Sequence, residues 1–361
     1  MLSMRRVGLD VHAKETTAVL LDVVSGELRV QRIAGRPEQV LAWLETLEQP
    51  FRAVYEAGPT GYGLARRAAE RGLDVVVCSP GHIRKHPGDR IKTDRRDAER
   101  LARLLVANEL KLVRVPEPAE EQLRDLVRAR EDLRVDLMRC RHRLSKFLLR
   151  RELYYPLPGS AWTGRHRDWL TSLRFDDEAS ELTFVDMLHA HDSMLGRRER
   201  LERSLAELAE RSAWAETIAR LRCLRGIDTL SAVGLQAEIG DFHRFAHPKQ
   251  LAGFLGLVPS EDTTGERRRQ GAITKAGSKH ARRLLVEAAW HYRLPPRIST
   301  TLERRQRGQD PRAIDCAWRC QRRLYQRWQR LDVERGKRRT ICAVAVAREL
   351  STFCWELGTQ T

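Results

Sequence analysis

The chain has 361 residues, with 66 Lys and Arg against 49 Asp and Glu, a formal net charge of +17 and a pI near 10.1. That length allows two or three domains, and that charge attracts polyanions, with an Arg bias suited to planar phosphate contacts. No apolar run is long enough to span a membrane, and seven scattered cysteines without a CxxC pair exclude a disulfide framework, so a cytoplasmic protein with reduced thiols is expected.

Residues 1–112 read as an α/β domain. Apolar and β-branched runs predict strands over 5–11, 16–23 and 27–33, with Ser25-Gly26 turning the second into the third. A helix after Pro37 carries Val40, Leu41, Leu44 and Leu47, followed by a strand over 52–56, a helix over 61–71 and a strand over 73–78. Pro80, Gly81, Pro87 and Gly88 mark 80–92 as a loop or broken helix, and a helix over 94–108 follows with Leu101, Leu104 and Leu105 on one side. Three hairpin strands, then helix-separated strands, then a helix is the order of a ribonuclease H-like domain. A generic doubly wound domain is the plainer alternative.

Four carboxylates fall at the ends of these elements. Asp10 lies in the strand Val7-Gly8-Leu9-Asp10-Val11, and Glu56 closes Ala53-Val54-Tyr55-Glu56 before the breakers of 57–61. Asp94 and Asp97 open the helix at i, i+3 spacing, which puts them on one face. Four carboxylates sharing one place need a cation between them, and in a chain this basic a pair of Mg²⁺ ions gripping a phosphodiester is the expected occupant. His12 follows closely and either approaches that metal or packs beside the strand. Without a metal, the same sequence reads as a non-enzymatic nucleic-acid-binding protein. An actin-like ATPase is disfavoured, because His12-Ala13-Lys14 replace the glycine and hydroxyls of its first phosphate loop.

Residues 113–221 form the second region. Leu123, Leu126, Arg130, Leu133, Leu137, Cys140, Leu144 and Phe147 make a heptad seam over 117–151 that only Arg130 breaks. The pattern loosens over 152–185, and a second helical stretch covers 186–221, so an antiparallel coiled-coil hairpin with an insertion is expected. Residues 222–361 are mostly helical. Leu224-Arg225-Gly226-Ile227 opens a helix-hairpin-helix-like element in which Asp228 replaces a second glycine; Gly226 would help offer backbone N–H groups to a phosphate. Beyond Leu255-Gly256-Leu257-Val258-Pro259, the polar stretch 260–277 mixes hydroxyls, glycines and cations, with Arg267, Arg268, Arg269 and Lys275 as phosphate clamps. A helix follows over 278–292. Cys316 and Cys320 read as buried helical thiols, and His243 and His247 as structural.

These motifs resemble the DEDD transposases of the insertion-sequence "one-ten" family, relatives of Piv-type invertases. The resemblance is carried by Gly8-Leu9-Asp10-Val11-His12, Tyr55-Glu56-Ala57-Gly58-Pro59-Thr60-Gly61-Tyr62, Lys92-Thr93-Asp94-Arg95-Arg96-Asp97-Ala98, the run from Gly240-Asp241-Phe242 to Val258-Pro259, and Gly271-Ala272-Ile273-Thr274-Lys275-Ala276-Gly277. It implies a RuvC-like N-terminal domain whose acids, here Asp10, Glu56, Asp94 and Asp97, bind Mg²⁺. It also implies a coiled coil that mediates dimer or tetramer assembly, and a C-terminal transposase domain that supplies a nucleophilic serine to a site shared between subunits. A structured RNA that pairs with donor and target DNA is a further implied partner. This chain has Thr263-Thr264-Gly265 where the family has a Ser-Ser-Gly-like segment, so Thr264 takes the nucleophile's place, with Thr263 and Ser260 as substitutes. The expected activity is RNA-guided cutting and rejoining of insertion-sequence DNA. A structure-selective endonuclease of junction-resolvase type would share the acids without needing the hydroxyl.

Overall fold

The structure, a computed structural model, describes residues 5–83, 93–261 and 270–360. The chain divides into two compact units, Met1–Glu117 and Pro118–Thr361.

The first unit is a mixed sheet flanked by helices. Strands β1 (Arg5–Val11), β2 (Glu15–Asp22) and β3 (Leu28–Ala34) form an antiparallel meander. The turn between β2 and β3 is set by Asp22, whose Oδ1 accepts from the N–H groups of Val24 and Ser25, and by Gly26 at φ +75°. Helix α1 (Pro37–Glu45) leads to β4 (Phe51–Glu56), α2 (Gly63–Glu70) to β5 (Val75–Cys78), and α3 (Asp94–Val106) to the short β6 (Leu112–Val113). The sheet order is β3-β2-β1-β4-β5-β6, with β4 parallel to β1, β5 parallel to β4 and β6 antiparallel to β5.

Strand alternation sorts the side chains onto two faces. Val7, Leu9, Ala53, Tyr55, Val75 and Val77 pack with Leu41, Leu44, Leu64 and Ala68 of α1 and α2. On the other face, Val54 and Cys78 pack with Leu101 and Leu105 of α3. Leu9 and Tyr55 are almost wholly buried, and each contributes about 2–3 kcal/mol of hydrophobic stabilisation. The expected strands and helices of this region are present, within a residue or two at their ends.

Among its described residues, the second unit is helical apart from one strand pair. Helix α4 (Pro118–Leu149) packs along α6 (Glu178–Arg211), with α5 (Gly164–Ser172) between them in sequence. The two long helices are antiparallel, because partners on α6 fall in number as α4 advances: Arg130 with Glu202, Arg141 with His191, Phe147 with Phe184. Arg130, the one break in the apolar seam, is thus an interhelical ion pair. The second long helix starts eight residues earlier than its apolar pattern indicates, because Asp177 caps it by accepting from the Ser180 N–H at 2.8 Å. It ends at Arg211, and 215–221 is a separate helix, α7 (Ala215–Leu221).

Helices α8 (Thr229–Ile239) and α9 (Pro248–Phe254) precede the strand pair β7 (Pro259–Glu261) and β8 (Gln270–Ile273), which the sequence reading placed within a polar loop. Helices α10 (Lys279–Ala289), α11 (Thr300–Gln306), α12 (Pro311–Gln329) and α13 (Arg339–Gly358) complete the unit, with a π-helical turn at Arg330–Glu334. Trp328, Tyr292, Phe242, Leu285 and Leu350 anchor its core. All seven cysteines are free and buried, Cys316 and Cys320 on the core side of α12. Among the described residues, no helix is long and apolar enough to cross a membrane.

Candidate active site

Parallel pairing aligns Leu9 of β1 with Tyr55 of β4, so Asp10 and Glu56 are the next residues along two neighbouring strands. Alternation turns both toward the face covered by α3. Gly8 lets that helix in: a Cβ at this position would lie 1.8 Å from the Ala98 carbonyl oxygen and 2.8 Å from the Ala102 nitrogen. The close crossing brings the start of α3 over the end of β1. Thr93 caps that start, its Oγ1 accepting from the Arg96 N–H, and Asp94 and Asp97 sit in the first turn, where the helix dipole favours negative charge.

Asp10, His12 and Asp94 converge, with one ligand atom of each within 4.8 Å of the others. His12 Nε2 lies 3.3 Å from Asp10 Oδ2 and 3.8 Å from Asp94 Oδ1. The imidazole therefore sits against both carboxylates. Burial is the main reason the Asp10 carboxyl is held above the usual range, with His12 opposing it and the charges of Asp94 and Asp97 adding to it. Asp97 is thus close enough to be felt, although its own side chain turns toward Arg100 at 3.4 Å. Glu56 is exposed at the strand end, and its charge joins burial in pushing the neighbouring Cys78 thiol up to about 12. A thiol held this high is a poor nucleophile at neutral pH.

Converging carboxylate oxygens are donors suited to a hard divalent cation. A carboxyl made reluctant to ionise by burial and then by neighbouring carboxylates is one that a cation would relieve. The residues present fit such an ion.

The other predicted site residues lie in the second unit. Thr264, Arg267, Arg268 and Arg269, with Thr263, fall outside the described residues, in the segment that connects β7 to β8. Ser260 is exposed on β7, its Oγ lying over Gly271 of the paired strand. Lys275 is exposed just past β8 with φ +56°, and its N–H donates to the Gly256 carbonyl at 3.1 Å. Gly226 has φ +83°, and a Cβ there would lie 2.8 Å from the Ala288 carbonyl, so packing by itself requires glycine. At the start of α8 the Asp228 carboxylate accepts from the Ser231 N–H at 2.8 Å. The residue in place of a second hairpin glycine is therefore a helix cap.

Comparison with known proteins identifies the family. A family model for DEDD transposases matches residues 7–152, the stretch that contains all four acids, and the model described as "Transposase IS116/IS110/IS902 family" matches residues 218–301. The "Putative transposase y4qE" of Sinorhizobium fredii is 39% identical over 357 residues, covering 98% of this chain and 88% of that protein. The chain belongs to the IS110 family of transposases. The "Transposase for insertion sequence element IS1533" of Leptospira borgpetersenii is 32% identical over 341 residues, covering 92% of this transposase and 97% of its own length. The "Transposase for insertion sequence element IS1328" of Yersinia enterocolitica is 27% identical over 245 residues, covering 67% and 71%. Family membership makes this transposase an enzyme of DNA cutting and rejoining, and the DEDD class is one that uses divalent metal.

Proposed function

We propose that this transposase cuts and rejoins insertion-sequence DNA at a Mg²⁺ site held by Asp10, Glu56, Asp94 and Asp97, with Thr264 as nucleophile. The observation that carries the reading is the convergence of Asp10 and Asp94 around His12. The strand order, with acids at the ends of β1 and β4 and the start of α3, supports a ribonuclease H-like reading of the first unit. Asp10 and Asp94 would be the inner ligands, with Glu56 and Asp97 completing the set. Bound Mg²⁺ would supply polarisation of the scissile phosphate oxygens and stabilise charge developing in the transition state.

The hydroxyl chemistry belongs to the chain itself. Thr264 Oγ1 forms a bond to phosphorus as the bond to the departing strand oxygen breaks, and one proton moves from the hydroxyl to that oxygen, directly or through water. The free hydroxyl of another strand then attacks the same phosphorus and releases Thr264, so the phosphodiester is conserved through both steps. A structured guide RNA and a homo-oligomer complete the proposal, supported by the family resemblance and, for nucleic acid, by the +17 charge. The antiparallel pair α4 and α6 is the element suited to assembly.

Asp10→Ala and Asp94→Ala are each expected to abolish strand cleavage in Mg²⁺ while DNA binding persists. Cleavage retained by both variants removes the metal site. Denaturing gels of the trapped reaction test the nucleophile: an adduct that survives Thr264→Ala moves the role to Thr263 or Ser260.

A further inference from the structure

In the second unit a groove of about 1120 Å³ runs between the β7–β8 pair and helices α12 and α13. Lys249, Arg323, Arg327, Arg330 and Arg348 line it. The facing carboxylates are Glu261, Glu334 and Glu349. Glu349 is committed: it accepts from Arg323 and lies 3.9 Å from Arg327 Nε. Lys249, Arg330 and Arg348 are exposed and have no ion-pair partner among the described residues.

These three cations come from α9, from the π-helical turn after α12 and from α13, so the tertiary fold, not one helical repeat, gathers them. Like charges converged on one concave surface raise its potential and draw in a polyanion. Position narrows the choice of polyanion. Glu261 and Gln270, the residues on either side of segment 262–269, also line the groove. The groove therefore borders both ends of the segment that carries the proposed hydroxyl.

We infer that this groove seats the sugar–phosphate backbone of the DNA strand being cut, with Lys249, Arg330 and Arg348 as its phosphate contacts. The inference rests on the reading that segment 262–269 supplies the nucleophile. Phosphate contacts set register and affinity without reading sequence, so the three cations are expected to act on any DNA sequence.

The test is fluorescence anisotropy of a fluorescein-labelled DNA duplex of random sequence, titrated at several salt concentrations. The triple variant Lys249→Ala/Arg330→Ala/Arg348→Ala is compared with Arg143→Ala/Lys146→Ala/Arg150→Ala, which removes the same charge from exposed positions at the end of α4. The groove variant is expected to flatten the slope of log K against log salt by about 3, and Arg330→Gln alone by about 1, at unchanged melting temperature. The α4 variant is expected to leave the slope near the wild-type value. Wild-type slope in the groove variant, equal loss in both triple variants, or loss confined to an RNA duplex of the same length would each overturn the inference. If Thr263→Ala/Thr264→Ala, which removes both hydroxyls of the segment, still forms the covalent adduct while the groove variant loses DNA, segment 262–269 does not supply the nucleophile and the assignment to the cut strand is overturned with it. Groove variants that keep full DNA binding while Thr264→Ala loses the adduct would overturn the groove and leave the nucleophile standing.

Discussion

Gly8→Ala tests whether the crossing of β1 and α3 builds the active site. The added Cβ would lie 1.8 Å from the Ala98 carbonyl oxygen, whereas real Cβ contacts stay beyond 3.0 Å. The obstacle is helix backbone, so no rotamer change relieves it, and α3 must move away from the strand by roughly 1 Å or more. Asp94 is one helical turn before Ala98 and moves with it, opening the Asp10–Asp94 pair. Overpacking of this kind costs about 1–3 kcal/mol in stability. A misplacement of about 1 Å at a reacting centre can cost ~100-fold in rate. Thermal melting and single-turnover strand cleavage on pre-bound DNA measure the two effects separately. Gly253→Ala is the control, because open space surrounds that position on α9, and it is expected to be neutral or stabilising. A folded Gly8→Ala protein that cleaves at the wild-type rate would refute the claim that this crossing positions the acids.

Three further outcomes follow from the charged groups. Asp10 has its carboxyl raised by burial and then by Asp94 and Asp97, so its stabilising contribution is present below the unfolded value of 3.8 and is lost as pH rises through the folded value. Metal-free Asp10→Asn is therefore expected to melt above the wild type at neutral pH, and added Mg²⁺ to stabilise the wild type, by about 2.7 kcal/mol at a hundredfold excess over Kd, but not the variant. Glu238 is the opposite case: burial pushes its carboxyl up, but Arg128, Ser278 and Arg124 hold it below 4.5, so its contribution is lost as pH falls through the folded value. Arg128 pairs with it through bonds of 3.0 and 3.2 Å, and Arg128→Ala, which leaves the carboxylate only Ser278, Arg124 and a more distant His280, is expected to cost about 1.5 kcal/mol by chemical denaturation. Lys275→Gly removes a left-handed non-glycine conformation together with a charge, so the melting temperature should hold or rise while the anisotropy titration weakens.

Legibility in the sequence followed the range of the forces involved. The N-terminal strands and helices were readable because each buries a face whose period is local: Val7 and Leu9 alternate with Gly8 and Asp10, and Leu101 and Leu105 recur one turn apart. The seam of α4 was readable for the same reason, and its single polar member became legible only once Glu202 was seen opposite. The β7–β8 pair was not legible, since its short strands carry no apolar alternation and depend on pairing between segments distant in sequence, extended at their base by Thr274 N–H donating to the Val258 carbonyl at 2.9 Å. Asp177 and Asp228 were ordinary acids in the sequence and are helix caps in the fold. At the site, the acids could be nominated from their positions at element ends. The role of His12 could not, because it depends on how near α3 crosses β1.

That crossing explains why the acids tolerate one another at all. Asp94 and Asp97 gain from the N-terminal end of α3 and the Thr93 cap, while Asp10, on a strand, has no helix of its own and carries the electrostatic cost of their approach. His12 offsets part of that cost from two residues away, just past the end of β1. The arrangement is one in which stability is given up locally to keep negative charge concentrated, and the many packed residues of the two sheet faces sustain it. It follows that His12→Ala should loosen the metal-free site more than the Mg²⁺-loaded one, because the cation takes over the imidazole's electrostatic role. Melting the two variants with and without Mg²⁺ measures this: a larger Mg²⁺-induced rise for His12→Ala than for the wild type is expected, and an equal or smaller rise would make His12 a ligand in its own right.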